Sequence, residues 1–313
     1  MTDNALPSNR ESTKESRLAV ETMLLTIDIG NTTITLGVFD GSRLATTLRV
    51  ATDARRLADE YGLLLVNLLR QKGVEPSQID AACLCSVVPP LTVVLEEVCH
   101  ACFGLKPLTV SVGTRTGLPI LYDSPRDVGT DRIVDAVAAI ELYGPPLIIV
   151  DIGTATVFDA INRDGEYLGG AISPGIRLAA EALFLNTSQL RRVELVAPKT
   201  AVGQNTTAAL QSGLVLGYAG LVTSMVARFK EELGQDAKVI GTGGLVDVIA
   251  KEADVFDAIN LDLTLIGLRL IHQMNQQRPN PTVPSSKGSD QPIPALESSS
   301  PPDPTVQSGA RGD

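Results

Sequence analysis

The sequence predicts an α/β protein built from two similar domains that face each other across a cleft. Three observations predict it. Apolar runs of strand length alternate with helix-periodic stretches from Met23 to Met274. A motif occurs twice, first as Leu25-Thr26-Ile27-Asp28-Ile29-Gly30-Asn31-Thr32-Thr33-Ile34 and again as Ile148-Ile149-Val150-Asp151-Ile152-Gly153-Thr154-Ala155-Thr156-Val157. The length of 313 residues suits two domains of about 150 residues each.

In order, Leu24–Ile29, Ile34–Phe39 and Leu44–Val50 read as a strand meander. Arg55–Gln71 has helical periodicity, with Leu57, Tyr61, Leu64, Leu65, Leu68 and Leu69 on one face. Ile79–Ser86 reads as a buried strand that ends before Pro89-Pro90, Thr92–Phe103 as a helix and Leu108–Val112 as a strand. The pattern then resets. Ile133–Leu142 is helical, and Leu147–Val150, Thr156–Ile161 and Tyr167–Ile172 form a second meander. Helices follow at Ile176–Leu185 and Thr206–Leu233, the second long enough for a glycine to break it. Lys238–Ile240 is a strand, and Leu245–Lys251 and Leu263–Met274 are helical. The expected domains are residues 23–128 and 129–275. Residues 1–22 are expected to be a disordered leader, with Met23 as a candidate native start. Residues 276–313, rich in Pro, Ser, Gln and Asp, are expected to be a disordered tail. The terminal Arg311-Gly312-Asp313 is taken as a chance match to an adhesion motif.

Composition excludes several function classes. Hydrophobic residues make up 44% of the chain, enough for a sizeable core. The formal net charge is −10, with no basic stripe of the kind that displaces counterions from nucleic acid. Without a secretory signal, Cys83, Cys85, Cys99 and Cys102 read as structural thiols. With only His100 and His272, a histidine-based metal site or triad is poorly supported. No apolar stretch reaches the ~20 residues of a membrane span, so a cytoplasmic protein is expected.

The two Asp-Gly motifs carry the chemistry. A strand that ends at Asp28, turns on Gly30-Asn31 and returns at Ile34 makes a hairpin, and the positive φ of a tight turn suits glycine and asparagine. Its N–H groups and the hydroxyls of Thr32 and Thr33 can hold phosphate oxygens. Asp28 can hold Mg²⁺ directly or through water. One such hairpin is an ordinary turn as readily as a site. Two, with Asp151, Gly153, Thr154 and Thr156 repeating the device, suggest jaws around a polyphosphate. Gly241-Thr242-Gly243-Gly244 joins a strand to a helix and suits an adenosine-binding turn, or merely a tight connection. Gly129-Thr130-Asp131-Arg132 starts a helix, where Asp131 is either a cap or a general base and Arg132 can grip a carboxylate.

The ordered set resembles the type III pantothenate kinases. To Asp28-Ile29-Gly30-Asn31-Thr32, Tyr122, Gly129-Thr130-Asp131-Arg132 and Asp151-Ile152-Gly153-Thr154-Ala155-Thr156 it adds Gly169-Gly170-Ala171-Ile172-Ser173-Pro174-Gly175, Gly203-Gln204-Asn205-Thr206 and Gln211-Ser212-Gly213. The resemblance spans about Met23 to Met274. It implies two ribonuclease-H-like domains of the actin-like ATPase type around a central cleft. It implies ATP phosphates along Asp28, Ile29, Gly30, Asn31, Thr32, Thr33, Ile34 and Thr35, with Thr154 also touching ATP. Asp131 becomes the base that activates the pantothenate hydroxyl. Tyr122, Gly129, Thr130 and Arg132 contact pantothenate, and Thr206 reaches substrate near a homodimer interface. Asp151 binds a monovalent cation, K⁺ or NH₄⁺, and Mg²⁺ accompanies ATP. Val157 departs from the family, which often has Thr there. A nucleotide-sensing regulator without catalysis and an exopolyphosphatase-like hydrolase are the rival readings on the same scaffold.

Overall fold

The computed structural model describes residues 23–276. The expected leader, the tail, and Arg311-Gly312-Asp313 lie outside the described residues. Two five-stranded sheets form the frame. The first has the order β3-β2-β1-β4-β5, from β1 (Met23–Ile29), β2 (Thr33–Asp40), β3 (Arg43–Ala51), β4 (Ile79–Ser86) and β5 (Leu108–Thr109). The second has the order β10-β9-β6-β7-β8, from β6 (Leu147–Ile152), β7 (Ala155–Ile161), β8 (Tyr167–Pro174), β9 (Lys238–Thr242) and β10 (Ala258–Ile259). In each sheet three antiparallel strands are followed by two parallel ones, so the sequence repeat is also a repeat of topology.

Strand alternation sorts the side chains. On β1, Leu25, Ile27 and Ile29 join an outer core beneath α1 (Ala58–Gln71) and α2 (Pro89–Phe103). Leu24 and Phe39 face the other way. On β6, Ile148, Val150 and Ile152 pack outward against α6 (Gly217–Leu233) and α7 (Val246–Ala250), while Leu147 and Ile149 face inward. The inward faces of both sheets share one core with α3 (Thr130–Tyr143) and α8 (Leu263–Gln276). The chain's last described helix therefore returns to pack on the first sheet as well as on α3.

Close backbone approach makes that shared layer possible. A Cβ on Gly267 of α8 would lie 2.1 Å from the Val134 carbonyl of α3. Only glycine lets the two helices meet at this point.

Several boundaries differ from the sequence expectation. α1 starts at Ala58, because the Leu57 N–H donates to Glu60 Oε2 at 2.9 Å and stops the helix there. Leu57 is then 68% exposed, not part of the apolar face. α2 starts at Pro89, since proline is tolerated in a first turn whose N–H groups are free anyway. β10 is too short to carry a pattern. Residues 206–233 form one continuous helix: α5 (Thr206–Gln211), a π-helical segment at Ser212–Leu216, and α6. By length and composition alone this helix could cross a membrane, which the sequence reading had missed because glycine and hydroxyl residues interrupt its apolar runs. Here Leu214, Val215, Ala219, Val222 and Val226 pack into the outer core of the second sheet.

Gly267→Ala is expected to destabilise the protein by about 1–3 kcal/mol through overpacking of the α3–α8 contact. Urea denaturation of the variant checks this, and an unchanged midpoint would show that the helices can part at no cost.

Candidate active site

Each Asp-Gly hairpin sits at the inward end of its sheet's central strands. Strand alternation turns Asp28 away from Ile27 and Ile29, and Asp151 away from Val150 and Ile152. The Gly30 N–H donates to the Thr33 carbonyl at 3.1 Å, and the Gly153 N–H to the Ala155 carbonyl at 2.9 Å. The two turns touch: the hydroxyls of Thr32 and Thr154 are 2.8 Å apart. The expected positive φ is not at Gly30. It occurs at Gly243 (φ 90°), directly after β9, where a Cβ would lie 2.2 Å from Asp151 Oδ1. Gly30 matters for closeness instead, since a Cβ there would lie 3.0 Å from the Thr33 carbonyl.

The first turn of α3 closes the site from the shared layer. Gly129 precedes the helix, and a Cβ at this position would lie 2.5 Å from Asp131 Oδ1. Its absence lets the Asp131 carboxylate fold back and accept the Arg132 N–H at 2.8 Å. The Thr130 hydroxyl donates to the Ser86 carbonyl at 3.1 Å, tying α3 to the end of β4.

Asp28, Asp131, Asp135 and Asp151 line one cavity of about 540 Å³, together with both hairpin turns and Gly243-Gly244. Burial pushes the Asp28 carboxyl up to about 7, and the nearby Asp131 adds to the rise while a hydrogen bond from Cys85 opposes it. Asp151 is likewise pushed up to about 7, first by burial and then by Asp131, Asp28 and Asp159. Burial raises Asp131 as well, partly offset by the Arg132 N–H and guanidinium. Burial in a space with little water is the main cause of all three shifts, and the facing carboxylates add to it at Asp28 and Asp151. Positive charge in the cavity would relieve them all. Among the described residues no three His, Cys, Asp or Glu side chains are close enough to hold a metal ion between them.

A second cluster adjoins the first. Arg132 Nη2 lies 2.7 Å from Asp159 Oδ1, and this ion pair is almost wholly buried. The Tyr167 hydroxyl donates to the same oxygen at 2.6 Å, and the guanidinium carbon lies 5.7 Å from the centre of the Tyr167 ring. Tyr122 covers Tyr167 with ring centres 6.5 Å apart. A Cβ on Gly170 would lie 3.0 Å from Arg132 Nη2, and one on Gly169 would lie 3.1 Å from the Tyr122 ring. The two glycines let β8 pack closely against the Phe158 backbone, the Arg132 guanidinium and the Tyr122 ring.

Of the residues singled out from sequence, Asp28, Gly30, Asn31, Thr32, Thr33 and Thr35 line the cavity, as do Asp131, Asp151 and Thr154. The side chains of Ile29 and Ile34 do not, because they are buried in the outer core on the opposite face of the sheet. Only their backbone is available to a ligand. Tyr122 and Arg132 belong to the adjoining cluster, and Gly129 and Thr130 shape the turn between the two. Thr206 is exposed on the first turn of α5, capped by Asn205, and is not part of the cavity wall. Asp135 and Asp159 were missed. Asp159 is the one charge in β7, and Asp135 is a charge set within the buried run from Val134 to Ala139 of α3, and those patterns were the signal.

Paired sheets whose Asp-Gly hairpins meet over a shared cavity define the class: a nucleotide-binding protein of the actin-like ATPase superfamily. A solved Campylobacter jejuni protein described as belonging to the Baf family of transcriptional activators shares the fold, with a TM-score of 0.54 at 19% identity over 80% of this chain and 98% of that one. At that identity the likeness speaks for the fold alone. Residues 24–228 match the type III pantothenate kinase family, and the chain belongs to that family. A type III pantothenate kinase of Geobacter sulfurreducens is 50% identical over 255 residues, 82% of this chain and all of that protein. One of Myxococcus xanthus is 48% identical over 253 residues, 81% and 99% of the two chains.

The raised carboxyls give a testable pH dependence. The folded chain keeps protons on Asp28 and Asp151 up to about pH 7, whereas an unfolded carboxylate of ordinary value 3.8 has released its proton. Between those values the unfolded state binds fewer protons, so these groups lower stability as pH rises. Ligand-free Asp28→Asn is expected to lose less stability than the parent between pH 4 and pH 7. Urea denaturation across that range checks it, and parallel curves would refute the shift.

Proposed function

We propose that the chain transfers the γ-phosphoryl group of ATP to the primary hydroxyl of pantothenate, giving 4′-phosphopantothenate and ADP, the first step of coenzyme A synthesis. One observation carries the reading: Asp131 opens onto the cavity shared by both phosphate hairpins, and its chain neighbour Arg132 is held rigid in the adjoining cluster. A base next to a phosphate site, with a fixed guanidinium one residue away, suits an acceptor carrying both a hydroxyl and a carboxylate.

The polyphosphate would lie along the N–H groups and hydroxyls of Gly30–Thr33 and Thr154. Asp28 would hold Mg²⁺ brought in with ATP, directly or through water, and Asp151 a monovalent cation, K⁺ or NH₄⁺. These cations supply charge neutralisation on the phosphates. Arg132, oriented by Asp159 and Tyr167, takes the pantothenate carboxylate, and Tyr122 covers the chain of the substrate. Asp131 accepts the hydroxyl proton, the oxygen bonds to the γ-phosphorus, and the bond from that phosphorus to the β-phosphate oxygen breaks as ADP leaves. Burial raises the proton affinity of Asp131, which makes it a better base once ionised.

Two further features complete the proposal. A shallow apolar groove runs between α6 and α4 (Ile176–Leu185), lined by Leu178, Ala182, Leu183 and Tyr218. Leu178 and Leu185 are 52% and 67% exposed, and only 28% of the most apolar stretch of the helix at residues 206–233 is buried within one chain. A second copy covering this face would make a homodimer and bring Thr206 near an interface. The location we propose is the cytoplasm, which suits the four free thiols. The net charge of −10 argues against nucleic acid as a partner.

Asp131→Asn is expected to fold as the parent does and to lose about 10²–10⁴-fold in turnover. Pantothenate-dependent ADP release, measured in K⁺ and then in Na⁺ buffer, checks this and the cation together. Near-parental turnover by the variant would exclude Asp131 as the base, and ADP release independent of pantothenate would favour a hydrolase. Leu178→Glu is expected to convert a dimer to monomers in sedimentation velocity, and a parent that sediments as a monomer would remove the dimer from the proposal.

A further inference from the structure

Asp135 has no role in the scheme above, yet its position is costly. It lies one helical turn beyond Asp131 on the same face of α3, so both carboxylates reach the same cavity. Its neighbours Val134, Ala136, Val137, Ala138 and Ala139 are all buried, because α3 is enclosed between the two sheets. Asp135 itself is 5% exposed. Its Oδ1 has no hydrogen-bond partner among the described residues. A hydroxyl at Thr264, at the start of α8, is the nearest help and only partly offsets the burial. A buried acceptor left unsatisfied in an apolar helix weakens the fold, and an alanine here would extend the run that follows it.

The geometry limits what that partner can be. Among the described residues no three acidic side chains approach closely enough to cage a metal ion by themselves, so a cation beside Asp135 would take most of its ligands from nucleotide and water. Magnesium bound to a nucleotide keeps several of its waters, and those waters are strong donors that need acceptors in a closed site. Asp28 and Asp151 stand at the hairpins. Asp135 stands deeper, on the helix that also carries the base.

We propose that Asp135 is a positioning residue that accepts hydrogen bonds from the water shell of the divalent cation on the nucleotide, fixing that cation relative to Asp131. The inference rests on the kinase reading above.

The test uses the full-length protein, a non-hydrolysable ATP analogue and Mn²⁺ as a paramagnetic probe. Asp135→Asn keeps the shape of the side chain. It is expected to bind Mn²⁺ in the analogue complex about 10–100-fold more weakly than the parent, the usual effect of losing an outer-shell partner. The half-activating Mg²⁺ concentration is expected to rise by a similar factor, with the KM for pantothenate unchanged. Its melting temperature without ligand is expected to equal or exceed the parent's. A purely structural aspartate would lower the melting temperature and leave the Mn²⁺ affinity alone, and either result overturns the inference. Should the variant fail to fold, anomalous scattering from parent crystals soaked with Mn²⁺ and the analogue decides. A peak about 4 Å from Asp135 Oδ1, the span of one bridging water, supports the proposal, and a peak beyond about 6 Å contradicts it. If the parent turns over pantothenate and the variant matches it in Mn²⁺ affinity, this inference fails and the kinase reading stands. If the parent shows no pantothenate-dependent turnover, the kinase reading itself fails.

Discussion

Everything in this fold is arranged to hold like charges together. Asp28, Asp131, Asp135 and Asp151 come from two sheets and a helix, Asp28 more than a hundred residues before the other three, and are enclosed around one cavity. Left alone they repel and bind protons, as the raised carboxyls of Asp28 and Asp151 show. The apolar layers overcome the repulsion. The outer cores fix β1 and β6 against their helices, and the shared core clamps α3 between the sheets. The stability that those layers supply holds these carboxyls together in their protonated form, and arriving cations would displace the protons.

The duplicated topology explains how one chain makes two halves of a single site. Each hairpin alone presents a few N–H groups and hydroxyls, too little to orient a triphosphate. Contact between Thr32 and Thr154 brings the two sets within reach of one ligand. The helix between them adds a carboxylate, Asp131, in its first turn and, next to it, a guanidinium locked by Asp159 and Tyr167; in the proposed mechanism that carboxylate would be the base. Phosphoryl transfer asks mostly for positioning and charge neutralisation, and both are met by backbone turns and buried ion pairs that need not rearrange.

Much of this was legible in the sequence. The repeated Asp-Ile-Gly motif announced the two hairpins, because each follows a strand-length apolar run and because an aspartate at an inward strand end has little structural purpose. The order of the two meanders followed from alternation and chain length. What was not legible depended on distant parts of the chain. Nothing near Gly267 says that Val134 will lie against it, and nothing near Gly243 says that Asp151 will. The reason for glycine at Gly30 was misread for the same cause: a local turn rule suggested positive φ, whereas close approach to Thr33 is what demands it. Ile29 and Ile34 were grouped with the phosphate site by their place in the motif, but strand alternation sends their side chains into the outer core. Asp135 and Asp159 could have been found by asking why a carboxylate interrupts a buried apolar run, between Val134 and Ala136 on α3 and between Phe158 and Ala160 on β7.

The central claim is that the cavity carboxylates share protons until cations arrive. Isothermal titration of ATP with Mg²⁺ into the protein near pH 7, repeated in buffers of different ionisation enthalpy, tests it most directly. If the claim holds, binding releases protons, on the order of one per complex, since a bound cation displaces them from carboxylates. Heats that are identical in every buffer would mean that Asp28 and Asp151 are already ionised in the free protein, and the account of the site as a set of proton-holding carboxyls would be wrong.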